Sequence, residues 1–200
     1  MAKIDNTWDK LLKIKTTGRD DTSADQYRYP YEPTPYSVLE RLANSGYIRK
    51  SDIVLDYGCG KGRVDFFLSY QIKADTIGIE YDDRIYKSLL ENQRTSVSGK
   101  KTEFLQISAE EYEVPSKVNR CYFFNPFSVE LLQKVMARIL ESYYENPREI
   151  FLFFYYPSNE YISYLMTVNE VEFYDEICCC DLFLENDLRE RIVIFQLSKT

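Results

Sequence analysis

The sequence contains no histidine. That absence removes Ser-His-Asp and Cys-His chemistry and any imidazole general base, so catalysis by this chain would fall to carboxylates, tyrosines or positioning alone. Cysteine is sparse and wrongly spaced for a metal: five residues, no CxxC pair, and three in a row at Cys178, Cys179 and Cys180. The pattern argues against a structural zinc site and a disulfide framework. No metal is expected, and a reducing cytosol fits the thiols. Adjacent residues of a strand face opposite ways, so the cysteine run should fill core on one side and meet solvent on the other. Long apolar runs are also missing. The longest, IFLFFYY at 150–156, is far too short to cross a bilayer, and the polar start MAKIDNTWDK has no signal-peptide pattern. The expected location is the cytoplasm, with no membrane partner.

What is present suits one globular domain. The 200 residues are 44% hydrophobic and 28% charged, enough for a sizeable core. The net charge of -7 does not favour nonspecific binding to nucleic acid or to anionic lipid. Only the N-terminal segment is locally basic: Lys3, Lys10, Lys13, Lys15 and Arg19 outnumber Asp5 and Asp9. It reads as a solvated amphipathic arm. Residues 1–30 have no clear period, and YRYPYEPTPY at 27–36 reads as ordered but irregular. We take 1–34 as an arm or lid and 35–200 as the domain.

From residue 35 onward, apolar runs and helical patterns alternate. PYSVLERLANSG reads as a helix with Thr34 as its N-cap and Gly46 as its end. DIVLDYG, TIGIEY, TEFLQIS, RCYFFNP and EIFLFFYYP read as strands. GRVDFFLSYQI, DDRIYKSLLENQRTSV, SVELLQKVMARILESYYEN and SNEYISYLMTV read as helices. EFYDEICCCDLFLE and RERIVIFQLS flank NDL as an antiparallel hairpin. The alternation predicts an α/β fold: a doubly wound, seven-stranded, mostly parallel sheet with the last strand antiparallel and helices on both faces.

The turn between the first strand and its helix, in VLDYGCGKGR, has glycine at 58, 60 and 62. Glycine there lets backbone approach a ligand closely. A phosphate-cradling GxxxxGK[ST] loop fails because Arg63 follows Gly62, and GxGxxG fails because the third glycine would fall at Arg63. Asp56 would also repel a pyrophosphate. An acid beside the turn makes sense against a ligand with a cationic end.

DYGCGKG has the D/ExGxGxG form, and with it the sequence resembles the class I S-adenosylmethionine-dependent methyltransferases. The resemblance implies S-adenosyl-L-methionine as cofactor, outside the carboxyl ends of strands 1, 2 and 4. Asp56 would hold its methionine amino end, and the backbone of Gly58, Cys59 and Gly60 would pack on it, with Cys59 a packing residue. Glu80, ending strand 2, would accept both ribose hydroxyls, and Tyr81 would lie on the adenine. After strand 3, Ser108 stands at the family's usual acid position and Ala109 at its small one, with Glu110 the alternative adenine contact. FFNPFS resembles the [D/N]PP[YF] motif of relatives that modify amino groups, although the second proline is absent. Asn125 would orient the acceptor nitrogen and also border the cofactor, and Phe127 would stack on the substrate. YEPTPYSVLERL resembles the Thr-Pro segment of a lid, which brings in Tyr31 and Thr34. The implied activity is methyl transfer, with a small molecule or protein favoured as acceptor and RNA open. A non-catalytic nucleotide or S-adenosylmethionine binder and an NAD-type oxidoreductase are the alternatives.

Overall fold

The computed structural model describes residues 2–22 and 26–197, with side chains from residue 7 onward. In chain order the elements are α1 (Ala2–Leu12), α2 (Tyr36–Asn44), β1 (Ile53–Tyr57), α3 (Arg63–Gln71), β2 (Asp75–Glu80), α4 (Asp83–Thr95), β3 (Thr102–Gln106), β4 (Arg120–Phe123), α5 (Val129–Glu145), β5 (Ile150–Tyr155), α6 (Asn159–Leu165), β6 (Val171–Cys178) and β7 (Arg191–Leu197). The strands form one sheet in the order β3-β2-β1-β4-β5-β7-β6. Neighbouring strands from β3 to β5 are parallel, and β7 alone runs antiparallel to both its neighbours. The expected α/β architecture is therefore present. Between β1 and β4 the winding direction reverses. A crevice opens outside the carboxyl ends of the strands at such a switch point.

Strand alternation divides the core between the two faces of the sheet. Leu55, Tyr57, Cys121, Phe123, Leu152 and Phe154 meet α5 and α6 through Leu132, Met136, Ile139 and Leu165. On the other face, Val54, Tyr122, Phe151 and Phe153 meet residues of α1, α2, α3 and α4. A ring stack crosses three strands on the α5 side. Tyr57 and Phe123 lie 4.7 Å apart at 6°, and Phe123 and Phe154 lie 4.5 Å apart at 7°. Each is a register pair of the parallel ladders, so pairing and stacking specify the same alignment.

The structure differs from the sequence reading in three places. The first is α1, where no regular element is expected. Trp8 and Leu12, four residues apart, turn inward. Trp8 packs on Phe67 at 4.8 Å and donates from Nε1 to Glu40 at 2.7 Å. Ile4, Trp8, Leu11 and Leu12 stand at i, i+4, i+7 and i+8, so the helical period was present within the basic segment, and tertiary contact adds to it. The second is Thr34. Pro35 occupies the N-cap of α2 without a side-chain bond, and the Thr34 hydroxyl instead meets the Tyr122 hydroxyl at 3.0 Å. The third is β6, which stops at Cys178; Cys180–Leu182 form a short 3-10 turn. Cys179 is buried and Cys178 exposed, as alternation requires. The predicted end of β7 at residue 198, and the side chains of Lys3 and Asp5, lie outside the described residues.

Phe123 is the middle ring of the stack and fully buried. Phe123→Ala should destabilise the fold by about 3–5 kcal/mol in equilibrium urea unfolding. A loss under ~1 kcal/mol would show that the stack follows from packing made elsewhere.

Candidate functional site

Residues 58–62 carry the chain from β1 into α3 under crowded conditions. At Gly58, φ is +68°, and a Cβ would sit 2.7 Å from Pro126 Cβ. At Gly60, φ is +57°, and a Cβ would overlap the ring of Tyr31. Glycine is needed on both counts, conformation and space. The crowding partner at Gly60 is the arm's tyrosine. The Tyr31 hydroxyl donates to the Thr16 carbonyl at 2.6 Å and so anchors the ring over the turn.

Three carboxyl groups surround this turn. Glu80 accepts from the amides of Gly60 at 2.9 Å and Asp82 at 2.8 Å, which ties the end of β2 to the glycine loop. Asp56 on β1 is 3% exposed, and Asp65 on α3 is fully buried. Among the described residues, no arginine or lysine forms an ion pair with any of the three. Both Asp65 oxygens and the Thr76 hydroxyl are buried outside hydrogen-bonding geometry. Burial raises Asp56 well above the usual carboxylate range, and the charges of Asp65 and Glu80 add to it. Burial pushes Asp65 up to about 7. Burial also raises Glu80, against the two amide bonds that favour its ionised form. The Cys59 thiol is held well above its ordinary value by burial and by Asp65 and Asp56, which makes it a packing group and not a nucleophile.

Asp56 and Glu80 line a cleft that opens beside this turn, and Asp65 lies outside its wall. Asp56, Gly58, Cys59, Glu80 and Tyr81 form its floor and one side; Tyr31 and Thr34 come from the arm. Ala109 and Phe127 close the far side. Gly60 lies behind Tyr31. Tyr81 is half exposed, and the Arg28 guanidinium lies 4.0 Å from its ring centre. Ser108 is off the wall: its hydroxyl accepts from Arg28 at 3.1 Å and donates to Glu110 at 2.6 Å. Phe127 is buried beside Phe123, so it meets the first cleft from the core side. Asn125 is also off this wall. Its amide nitrogen donates to the Tyr156 carbonyl, and its oxygen accepts from the Ser158 amide at 3.3 Å. Asn125 thereby joins the loop after β4 to the loop after β5 and borders a neighbouring cleft.

Sequence reasoning missed Arg28, Arg63, Asp65 and Phe124. Arg63 and Asp65 had a usable signal. Within GRVDFFL, one arginine and one acid stand among apolar residues of a helix that is buried almost all round. Charges in such a helix have partners or a role. Arg28 had no local signal, because its position depends on how the arm folds back.

No family model matches the chain. A stretch of 74 residues is 34% identical to a protein-lysine N-methyltransferase of Saccharolobus islandicus (strain REY15A), covering 36% of this chain and 45% of that protein. The chain thus spans less than half the length of this curated relative. An RNA methyltransferase from Salinibacter ruber, solved in complex with S-adenosyl-L-homocysteine, superposes with a TM-score of 0.60 at 18% identity. The superposition covers 84% of this chain and 95% of that one. An rRNA methylase from Streptococcus thermophilus superposes with a TM-score of 0.58 at 12% identity, covering 84% and 99%. The fold is that of the class I S-adenosylmethionine-dependent methyltransferases.

The acid cluster makes a stability prediction with a definite sign. Between the ordinary aspartate value and about 7, the folded protein holds a proton at Asp65 that the unfolded chain has released. The Asp65 contribution to stability should therefore fall as pH rises from about 4 to about 7 and level off above, while Asp56, raised further by burial, continues the fall at higher pH. Asp65→Asn should flatten that slope and raise the melting temperature at pH 8 by several degrees. Thermal melts across pH that show the same slope in both proteins would remove Asp65 as its source.

Proposed function

We propose that this chain is an S-adenosylmethionine-dependent methyltransferase acting on an amino nitrogen of a protein or small molecule. The observation that carries the reading is the group of three carboxyls around a glycine turn, Asp56 and Asp65 buried and Glu80 half-buried, with no basic partner among the described residues. A phosphate-bearing cofactor would be repelled there, whereas an ammonium and a sulfonium would relieve the mutual repulsion. Asp56 would take the methionine amino end, the backbone at 58–60 would pack against the ligand, and Glu80 would take the ribose hydroxyls. Tyr81 with Ala109 would border the adenine, with Ser108 and Glu110 behind, and Tyr31 and Thr34 would cover the methionine side. The bound cofactor supplies a methyl group already activated by a sulfonium. What the chain adds is placement and exclusion of water, which needs no histidine.

In this reading residues 1–34 act as a lid over domain 35–200. Asn125 holds the acceptor side of the site in shape, and Phe127 backs the transfer region. An RNA acceptor is the second reading, supported by one observation: Lys10, Lys13, Lys15 and Lys61 gather at a shallow surface cleft beside α1 and α4. No helix among the described residues is long and apolar enough to cross a membrane, and a cytoplasmic location belongs to the same proposal. Incubating the protein with labelled S-adenosylmethionine and fractionated cell extract should label one fraction. Binding of S-adenosylhomocysteine with no labelling in any fraction would leave a binding protein. Preference for a nicotinamide dinucleotide would make the chain an oxidoreductase.

Glu80→Gln tests the cofactor site itself. It removes charge and one acceptor but keeps shape, so the fold should persist while S-adenosylhomocysteine binds at least about tenfold more weakly by calorimetry. Unchanged affinity would take Glu80 out of the site.

A further inference from the structure

A second, more open cleft adjoins the first. The two share Tyr29, Pro30, Glu32 and Phe124 and so meet along a common wall. Strand ends supply one side of the second cleft, through Asn125, Tyr155 and Tyr156. The connection between β6 and β7 supplies the other. Its lining combines aromatic faces with an excess of acid: Glu32, Glu185, Asp187 and Glu190 against Arg19 and Arg189.

The arginines are already engaged. Arg189 pairs with Asp187 at 2.7 Å. Arg19 pairs with Asp21 at 2.8 Å and reaches Glu32 at 3.4 Å. Glu190 is different. Its carboxylate accepts from the Tyr155 hydroxyl, a phenol on a fully buried ring. Burial raises its pKa, and the charges of Asp187 and Glu32 raise it further. The site therefore favours an incoming cation. The exposed face of Tyr29 and the half-buried rings of Phe124 and Tyr156 offer apolar walls for an alkyl chain; the Arg189 guanidinium already lies 4.9 Å from the Tyr156 ring centre, so Tyr29 and Phe124 supply the π-faces for a second cation.

We propose that this second cleft is the acceptor site and that it takes an aliphatic amine, which binds as its ammonium with the alkyl chain along Tyr29, Phe124 and Tyr156 and the charge toward Glu190. The ammonium gives its proton to the Glu190 carboxylate, and the freed nitrogen lone pair then takes the methyl as the sulfur–methyl bond breaks and S-adenosylhomocysteine leaves. The inference rests on the transferase reading above. A nucleic-acid acceptor would bring phosphates to a cleft with excess negative charge, which opposes binding. Two sources share the ammonium chemistry, a lysyl side chain in a peptide and a free polyamine, and binding measurements separate them.

The test uses the full chain saturated with S-adenosylhomocysteine and three probes in calorimetric titration: acetyl-Ala-Lys-Ala-amide, spermidine and an oligoadenylate RNA. At least one amine probe should bind, more weakly as salt rises. Tripeptide binding identifies a lysyl acceptor, and spermidine binding without the tripeptide identifies a polyamine. The variant Glu185→Gln/Glu190→Gln should weaken amine binding by about tenfold and leave S-adenosylhomocysteine affinity unchanged. Tyr156→Ala should weaken the amine as well, by loss of the apolar wall. Failure of both amines to bind, binding of the RNA in their place, or full amine affinity in the carboxamide variant would each overturn the assignment. Failure of S-adenosylhomocysteine to bind at the outset would instead fell the transferase reading, and the acceptor assignment with it.

Discussion

A buried guanidinium organises the arm. Arg63 is the first residue of α3, directly after the glycine turn, and is 2% exposed. A charge taken out of water must be bonded on most sides or it costs several kcal/mol. Its named partners come from the arm and from the first residue of α2. Nε donates to the Thr16 hydroxyl at 2.7 Å, Nη1 donates to the Thr34 carbonyl at 3.1 Å, and the guanidinium lies 4.4 Å from the Tyr36 ring centre. Asp9 completes the network. Its carboxylate accepts from the Thr16 amide and hydroxyl at 2.8 and 2.7 Å and from the Tyr36 hydroxyl at 2.6 Å. The arm is thereby held against the helix that begins at the site. Tyr31 over Gly60 and Arg28 over Tyr81 follow from that attachment.

The site then combines two opposite electrostatic solutions within a few residues of α3. Arg63 is held internally by Thr16, Thr34 and, at 4.0 Å, Asp9, so it serves structure. Asp65, two residues on, has no basic partner and shares its surroundings with Asp56 and Glu80. In the absence of a cationic ligand the cheaper state for such a group is partial protonation, which is why burial raises these acids. A ligand with positive charge would reverse that balance and stabilise the folded protein as it binds. The fold places this cluster at the one crevice where the sheet changes winding direction. Geometry and charge therefore select the same position.

Much of this was legible in the sequence, for local reasons. Short apolar runs alternating with amphipathic stretches gave the sheet, its helices and the antiparallel final strand. DYGCGKG with Glu80 gave the turn and its acid, because glycine spacing and a strand-end carboxylate are both encoded within a few residues. The rest depended on contacts distant along the chain. Helix α1 carries the helical period, but it is stabilised by Trp8 on Phe67 and by Asp9 on Tyr36, which no local window contains. Thr34 looked like a cap but meets Tyr122, 88 positions away. Asn125 looked like a group facing the cofactor cleft, yet its amide reaches Tyr156 and Ser158 after a different strand. Asp65 stood in plain view as a lone acid in an apolar helix, and buried charge is the pattern most easily passed over when a helix is read only by its period.

The central claim is that the acid-ringed glycine turn receives the amino and ribose ends of S-adenosylmethionine. A crystal structure with S-adenosylhomocysteine examines it most directly. The account predicts ligand in the first cleft, its amino group facing Asp56 and both ribose hydroxyls within about 3 Å of Glu80. Tyr31 should remain over Gly60. Ligand bound elsewhere, or a ligand whose ribose hydroxyls point away from Glu80 while Asp56 meets no cationic group, would contradict it.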